Sequence, residues 1–110
     1  MATQKYNETP AEQIAEGVER RIGYLNNLMI VTIDFTDGPT SEPDPPHSHP
    51  HEQISYVAEG EILFILDGEE TRLGPGDVFL VPSSKLHTIQ RLTEHVRLVD
   101  CFTPLREDFL

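Results

Sequence analysis

Three of the chain's five histidines, His47, His49 and His51, fall within five residues, directly ahead of Gln53 and the alternating run Ile54 to Ala58. Successive side chains of an extended strand point to opposite faces, so His47 and His49 share a face, and Gln53 rejoins it where the strand stays regular. Two imidazoles side by side point to metal chemistry. A catalytic metal needs about three or four ligands and an open position, so this stretch predicts a further ligand downstream, with His87 and His95 as candidates. His51 has the parity of His49, but the intervening Pro50 argues for a local irregularity. A second informative stretch lies near the C-terminus, where Leu98, Asp100 and Phe102 share one face of a strand. A carboxylate in line with two apolar residues either faces solvent or sits in a pocket that raises its pKa.

The elements that must position these residues read as β-structure. Val18 to Tyr24 and Asn27 to Phe35 are rich in β-branched residues and alternate. Leu28, Ile30 and Thr32 face one way, with Met29, Val31, Ile33 and Phe35 the other, which predicts a strand covered on both sides and hints at a homodimer. Residues 36–53 hold no Leu, Ile, Val or Phe and carry five prolines. This is a loop, and loops held by a rigid scaffold often carry function. Hairpin signals follow at Glu59-Gly60 and Asp67-Gly68, then a tight turn at Leu73 to Asp77. Strands are expected at Val78 to Val81, His87 to Leu92 and His95 to Phe102, with Tyr56 and Phe64 in the core. Thr9-Pro10-Ala11-Glu12 resembles a helix start, and Gly17 leaves room for about two turns. The fold class is all-β, an antiparallel double-sheet jelly roll or barrel. We expect one domain over 1–110, divided into an N-terminal arm (1–17), a barrel (18–102) and a tail (103–110).

Bulk composition limits the partners. Leu, Ile, Val and Phe make up 31 of 110 residues, enough for a core. The 8 basic and 19 acidic residues give a formal charge of −11, which disfavours nucleic acid and anionic membranes. A single cysteine, Cys101, excludes an internal disulfide, and neither a secretory signal nor an apolar span of about 20 residues is present. The expectation is a soluble, cytoplasmic protein.

His47-x-His49-x3-Gln53-x6-Gly60 and Gly76-x5-Pro82-x-Ser84-x2-His87 together resemble the two motifs of the cupins. Gln53 stands where the first motif has Glu, and the leading glycine is absent. In the second motif Ser84 replaces Gly, and Arg91 stands where Asn is usual. The resemblance implies a cupin jelly-roll β-barrel with one divalent transition metal ion (Zn, Ni, Fe or Mn) on His47, His49, Gln53 and His87. A Gln ligand keeps the oxygen donor but removes its charge, leaving the ion a stronger Lewis acid and anion attractor.

The C-terminal Asp100-x-Phe102-x-Pro104-x-Arg106-x-Asp108-Phe109-Leu110 narrows this further, since it resembles the pectin-degradation cupins of the KdgF type. That resemblance implies opening of 4,5-unsaturated monouronates to the linear keto form, with a small anionic sugar as substrate. Asp100 would shuttle protons, Phe102 would pack beside the sugar, and Arg106 would hold its carboxylate. Arg91 has the parity of His87, so it either adds a second carboxylate contact or faces outward. His95 lies outside both motifs and is expected on the surface. Two other functions share the site: a dioxygenase using Fe(II), and a non-catalytic metal or sugar sensor.

Overall fold

A computed structural model describes residues 2–110. Nine strands run in chain order: β1 Glu12–Ala15, β2 Val18–Tyr24, β3 Met29–Phe35, β4 Glu52–Glu59, β5 Ile62–Leu66, β6 Glu69–Leu73, β7 Val78–Val81, β8 His87–Arg91 and β9 Val96–Thr103. Short 3-10 turns at Tyr6–Glu8 and Glu107–Phe109 flank them. The six-stranded sheet has the order β1-β2-β3-β9-β4-β7 and the three-stranded sheet β6-β5-β8. All named pairings are antiparallel. The expected all-β jelly roll is thus two facing antiparallel sheets.

Alternation sets the core. In β9 Val96, Leu98, Asp100 and Phe102 point inward, and in β4 Gln53, Ser55 and Val57 do the same. Val18, Phe35, Val57, Ile62, Phe64, Phe79, Val81, Val96 and Leu98 form the main apolar cluster. Phe64 of β5 stacks on Phe79 of β7 across the sheets, ring centroids 4.4 Å apart. A second cluster of Met29, Val31 and Phe102 packs under the tail residues Leu105 and Phe109.

Turn chemistry sets the register. Asp67 and Gly68 both take positive φ, 48° and 83°, the conformation that a two-residue hairpin needs to match strand twist. At Gly60 φ is +78° and a Cβ would collide with the His95 carbonyl oxygen, so the β4–β5 turn needs glycine.

The N-terminal region departs from expectation. No helix starts at Thr9; Glu12–Ala15 is an edge strand paired with β2, and Gly17 at φ +69° reverses the chain between them. All four β1 residues are exposed, so no apolar periodicity marked the strand. Tyr56 is also exposed rather than in the core, because it shares outward parity with Ile54 on β4. The outward side at the start of β3 is open as well, rather than covered: Leu28, just before the strand, and Ile30 are 57% and 47% exposed.

The proline-rich loop is stitched to the edge of β8. Thr40, Asp44 and His47 donate backbone N–H groups to the carbonyls of Arg91, Ile89 and His87 at 3.0, 3.1 and 3.0 Å. With its backbone groups paired this way, an otherwise irregular segment holds its histidines in place.

Candidate metal centre

His47 and His87 are joined by reciprocal backbone hydrogen bonds of 3.0 and 2.9 Å, which bring their ring centroids to 4.4 Å. The His49 ring lies 4.8 Å from that of His87 and 5.9 Å from that of His47. One ligand atom from each of the three lies within 4.8 Å of the others, the one such cluster found among the described residues. His49 and His87 are buried, while His47 sits at the mouth.

The hydrogen bonds around these rings fit a cation. His87 Nδ1 donates to the Lys85 carbonyl at 2.9 Å, leaving a buried Nε2 lone pair without a partner in the chain. His49 Nδ1 donates to the His51 carbonyl at 3.0 Å, and its Nε2 lies 3.0 Å from Gln53 Oε1. The Gln53 amide is oriented by its own donor, Nε2 to Ser55 Oγ at 2.9 Å. Two lone-pair atoms therefore face each other, an arrangement that a metal ion relieves. Fixing the Nδ1 tautomer on a backbone carbonyl is how proteins orient a metal-binding imidazole. Burial pushes His47 and His87 below the ordinary imidazole pKa, helped by neighbouring imidazoles and by Arg106, against opposing backbone contacts. Neutral rings are the ligating form.

The relay from Gln53 continues inward. Ser55 Oγ donates to Asp100 Oδ1 at 2.5 Å, and Ser55 and Asp100 are cross-strand partners in the β4–β9 register. Burial drives the Asp100 carboxyl up to about 6, while the Ser55 hydrogen bond and the Arg106 charge pull the other way. Ser55 was not singled out from the sequence, although it shares parity with Gln53 on β4. An amide at position 53 can accept at the histidine end and donate to Ser55; a carboxylate there could not donate.

A cavity of about 360 Å³ opens onto this cluster, lined among others by His47, Gln53, His87, Asp100, Phe102 and Arg106. Arg106 comes from the tail, its guanidinium 5.2 Å from the Phe102 ring centroid and 4.3 Å from that of Phe109. Arg91 is not brought to this cavity. Its charge is spent on Asp37 at 2.7 Å and Asp44 at 4.0 Å, and it lies over Phe35, where it holds the loop to β8. The His51 ring lies 5.5 Å from that of His49 but is not part of the three-histidine ligand set; it donates from Nε2 to the Leu105 carbonyl at 3.0 Å, tying loop to tail. His95 is only partly exposed and bridges Asp34 at 3.0 Å and Glu59 at 2.8 Å.

Two facing antiparallel sheets with a histidine cluster inside one end define a class, and a match to the cupin domain covers residues 35–102. The chain belongs to the cupin family. Within it, the chain is 36% identical over 106 residues to the pectin degradation protein KdgF of Dickeya dadantii, spanning 94% of each sequence. The structure of KdgF from a Halomonas species superposes with a TM-score of 0.87 at 33% identity, covering 96% of both chains. An RmlC-like cupin from Shewanella frigidimarina gives a TM-score of 0.90 at 36% identity, over 100% of this chain and 96% of that one.

Proposed function

We propose that this protein opens the ring of 4,5-unsaturated monouronates in a metal-dependent isomerisation. The observation that carries this reading is that Asp100, Arg106 and the histidine cluster converge on one cavity. His47, His49, His87 and the Gln53 oxygen would hold one divalent ion; imidazole and amide donors suit Zn, Ni, Fe or Mn. When bound, the ion supplies Lewis-acid polarisation of substrate oxygens.

The chain's own groups perform the rest. Arg106 pairs with the uronate carboxylate and sets the ring's direction. Phe102 packs beside the sugar. The Asp100 carboxylate takes the proton of the anomeric hydroxyl as the bond from C1 to the ring oxygen breaks. That bond's electrons leave on the former ring oxygen as an enolate, C4 receives the proton back from Asp100, and C5 becomes a ketone. Atoms and charge balance without an oxidant, reductant or water. A carboxyl with a pKa of about 6 is suited to both halves of this transfer near neutral pH.

The reading is tested by supplying metal-loaded protein with 4,5-unsaturated galacturonate under argon and following the enol-ether ultraviolet absorbance. Accelerated loss without oxygen is expected. A rate equal to buffer rejects ring opening, and a strict need for oxygen indicates a dioxygenase instead.

A further inference from the structure

Arg106 commits one edge of its guanidinium to a residue with no role so far. Its Nε and Nη2 donate to the two carboxylate oxygens of Asp108 at 3.1 and 2.9 Å. This side-on bidentate pair leaves a second edge, Nη1 with Nη2, able to grip another carboxylate. The Asp108 side chain is 60% exposed and that of Arg106 13%, so the pair straddles the rim with Asp108 on the solvent side and Arg106 on the cavity wall.

The rest of the tail restrains the same guanidinium. Phe102 and Phe109 lie against it. Phe109 also carries the guanidinium of Arg20, 4.2 Å from its centroid, and Arg20 Nε donates to Glu12 at 2.5 Å. The tail backbone is tied down where the Leu105 carbonyl accepts from His51. Pairing with Arg106 keeps the Asp108 carboxyl below its ordinary pKa, so the pair persists across the neutral range. As an exposed ion pair it adds little to stability. Its effect falls on how freely Arg106 moves: a fork held in one orientation loses less entropy when it captures a ligand.

We propose that Asp108 is a positioning residue for carboxylate recognition, locking the outer edge of Arg106 so that the Nη1/Nη2 edge faces the cavity and meets the substrate carboxylate. This inference rests on the uronate reading above. It also gives the tail a role at the cavity, since Arg106, which lines it, and its lock are both delivered by residues 106–109.

The test is calorimetric titration of the metal-loaded full chain with galacturonate, which lacks the enol and is not turned over, and with neutral galactose. Wild type, Asp108→Asn and Asp108→Glu are compared. Asp108→Asn is expected to weaken galacturonate binding about tenfold, to leave galactose binding and the melting temperature unchanged, and to be largely rescued by Glu. Unchanged galacturonate binding in Asp108→Asn overturns the positioning role while leaving the carboxylate site intact. An equal loss for both sugars also overturns it, by showing a merely structural tail. Failure of wild type to prefer galacturonate over galactose rejects the uronate reading itself.

Discussion

A carboxylate that shuttles a proton near neutral pH must hold that proton about as well as it gives it up. Asp100 meets this requirement through burial, which drives its carboxyl up to about 6 against the Ser55 hydrogen bond and the Arg106 charge. The shift has a cost in stability, with a defined sign. The folded state binds this proton more tightly than the unfolded state, so the contribution of Asp100 to stability is greatest below the ordinary value of 3.8 and is lost as pH rises to about 6. In metal-free protein we expect denaturant titrations to show this loss, of order 2–3 kcal/mol, and Asp100→Asn to remove it; an equal pH slope in both proteins would contradict the burial account. At this scale the histidine cluster was legible because its spacing is a motif, whereas the burial of Asp100 was not. Leu98-x-Asp100-x-Phe102 fixes a shared face but not which face is inward, and that depends on the packing of β9 between β3 and β4. Ser55 was hidden for a related reason, since its part in the relay arises from its cross-strand pairing with Asp100.

At the scale of elements, the site depends on a loop and a turn more than on strands. The backbone pairing of His47 with His87 turns a proline-rich segment into an extension of the small sheet. The turn before β8 contains Ser84 at φ 65°, with its N–H donating to the His49 carbonyl at 2.7 Å. That left-handed conformation is where the second cupin motif has glycine, and a non-glycine residue pays for it in steric strain. Ser84→Gly is therefore expected to keep metal content and raise stability by up to ~1 kcal/mol, readable as a higher melting temperature; a lower one would show that the serine is needed. The replaced motif glycine was visible in the sequence, but its conformation was not. The Asp34 cluster was less legible still. This buried carboxylate accepts from Tyr6 at 2.7 Å, His95 at 3.0 Å and Arg97 at 2.7 Å, three donors scattered from residue 6 to residue 97. Burial alone would raise its pKa, and these hydrogen bonds outweigh that and hold it below the ordinary value.

Over the whole molecule, two surface properties bear on function. The outer face of the large sheet leaves Leu28, Ile30, Ile54, Tyr56, Val78 and Leu80 between 46% and 59% exposed, an apolar and largely uncharged patch on an otherwise acidic chain. The two-sided alternation of β3 anticipated it. A self-complementary apolar face suits a twofold homodimer, so light scattering is expected to give twice the chain mass, and Ile54→Glu with Leu80→Glu to give monomer; a monomeric wild type would reject this. The second property is the formal charge of −11, which would repel the anionic sugar of the proposed reaction at long range, while Arg106 and a bound ion would attract it locally. The overall architecture was readable from strand spacing and turn residues, but the edge strand β1 escaped because all its side chains are exposed.

In the proposed reaction Asp100 acts as the proton shuttle beside a metal held by His47, His49, Gln53 and His87. The most direct test of that role compares wild type and Asp100→Asn at equal measured metal content on 4,5-unsaturated galacturonate. The predicted result is a fall in turnover of at least about 100-fold with metal retained; full activity in Asp100→Asn would contradict it.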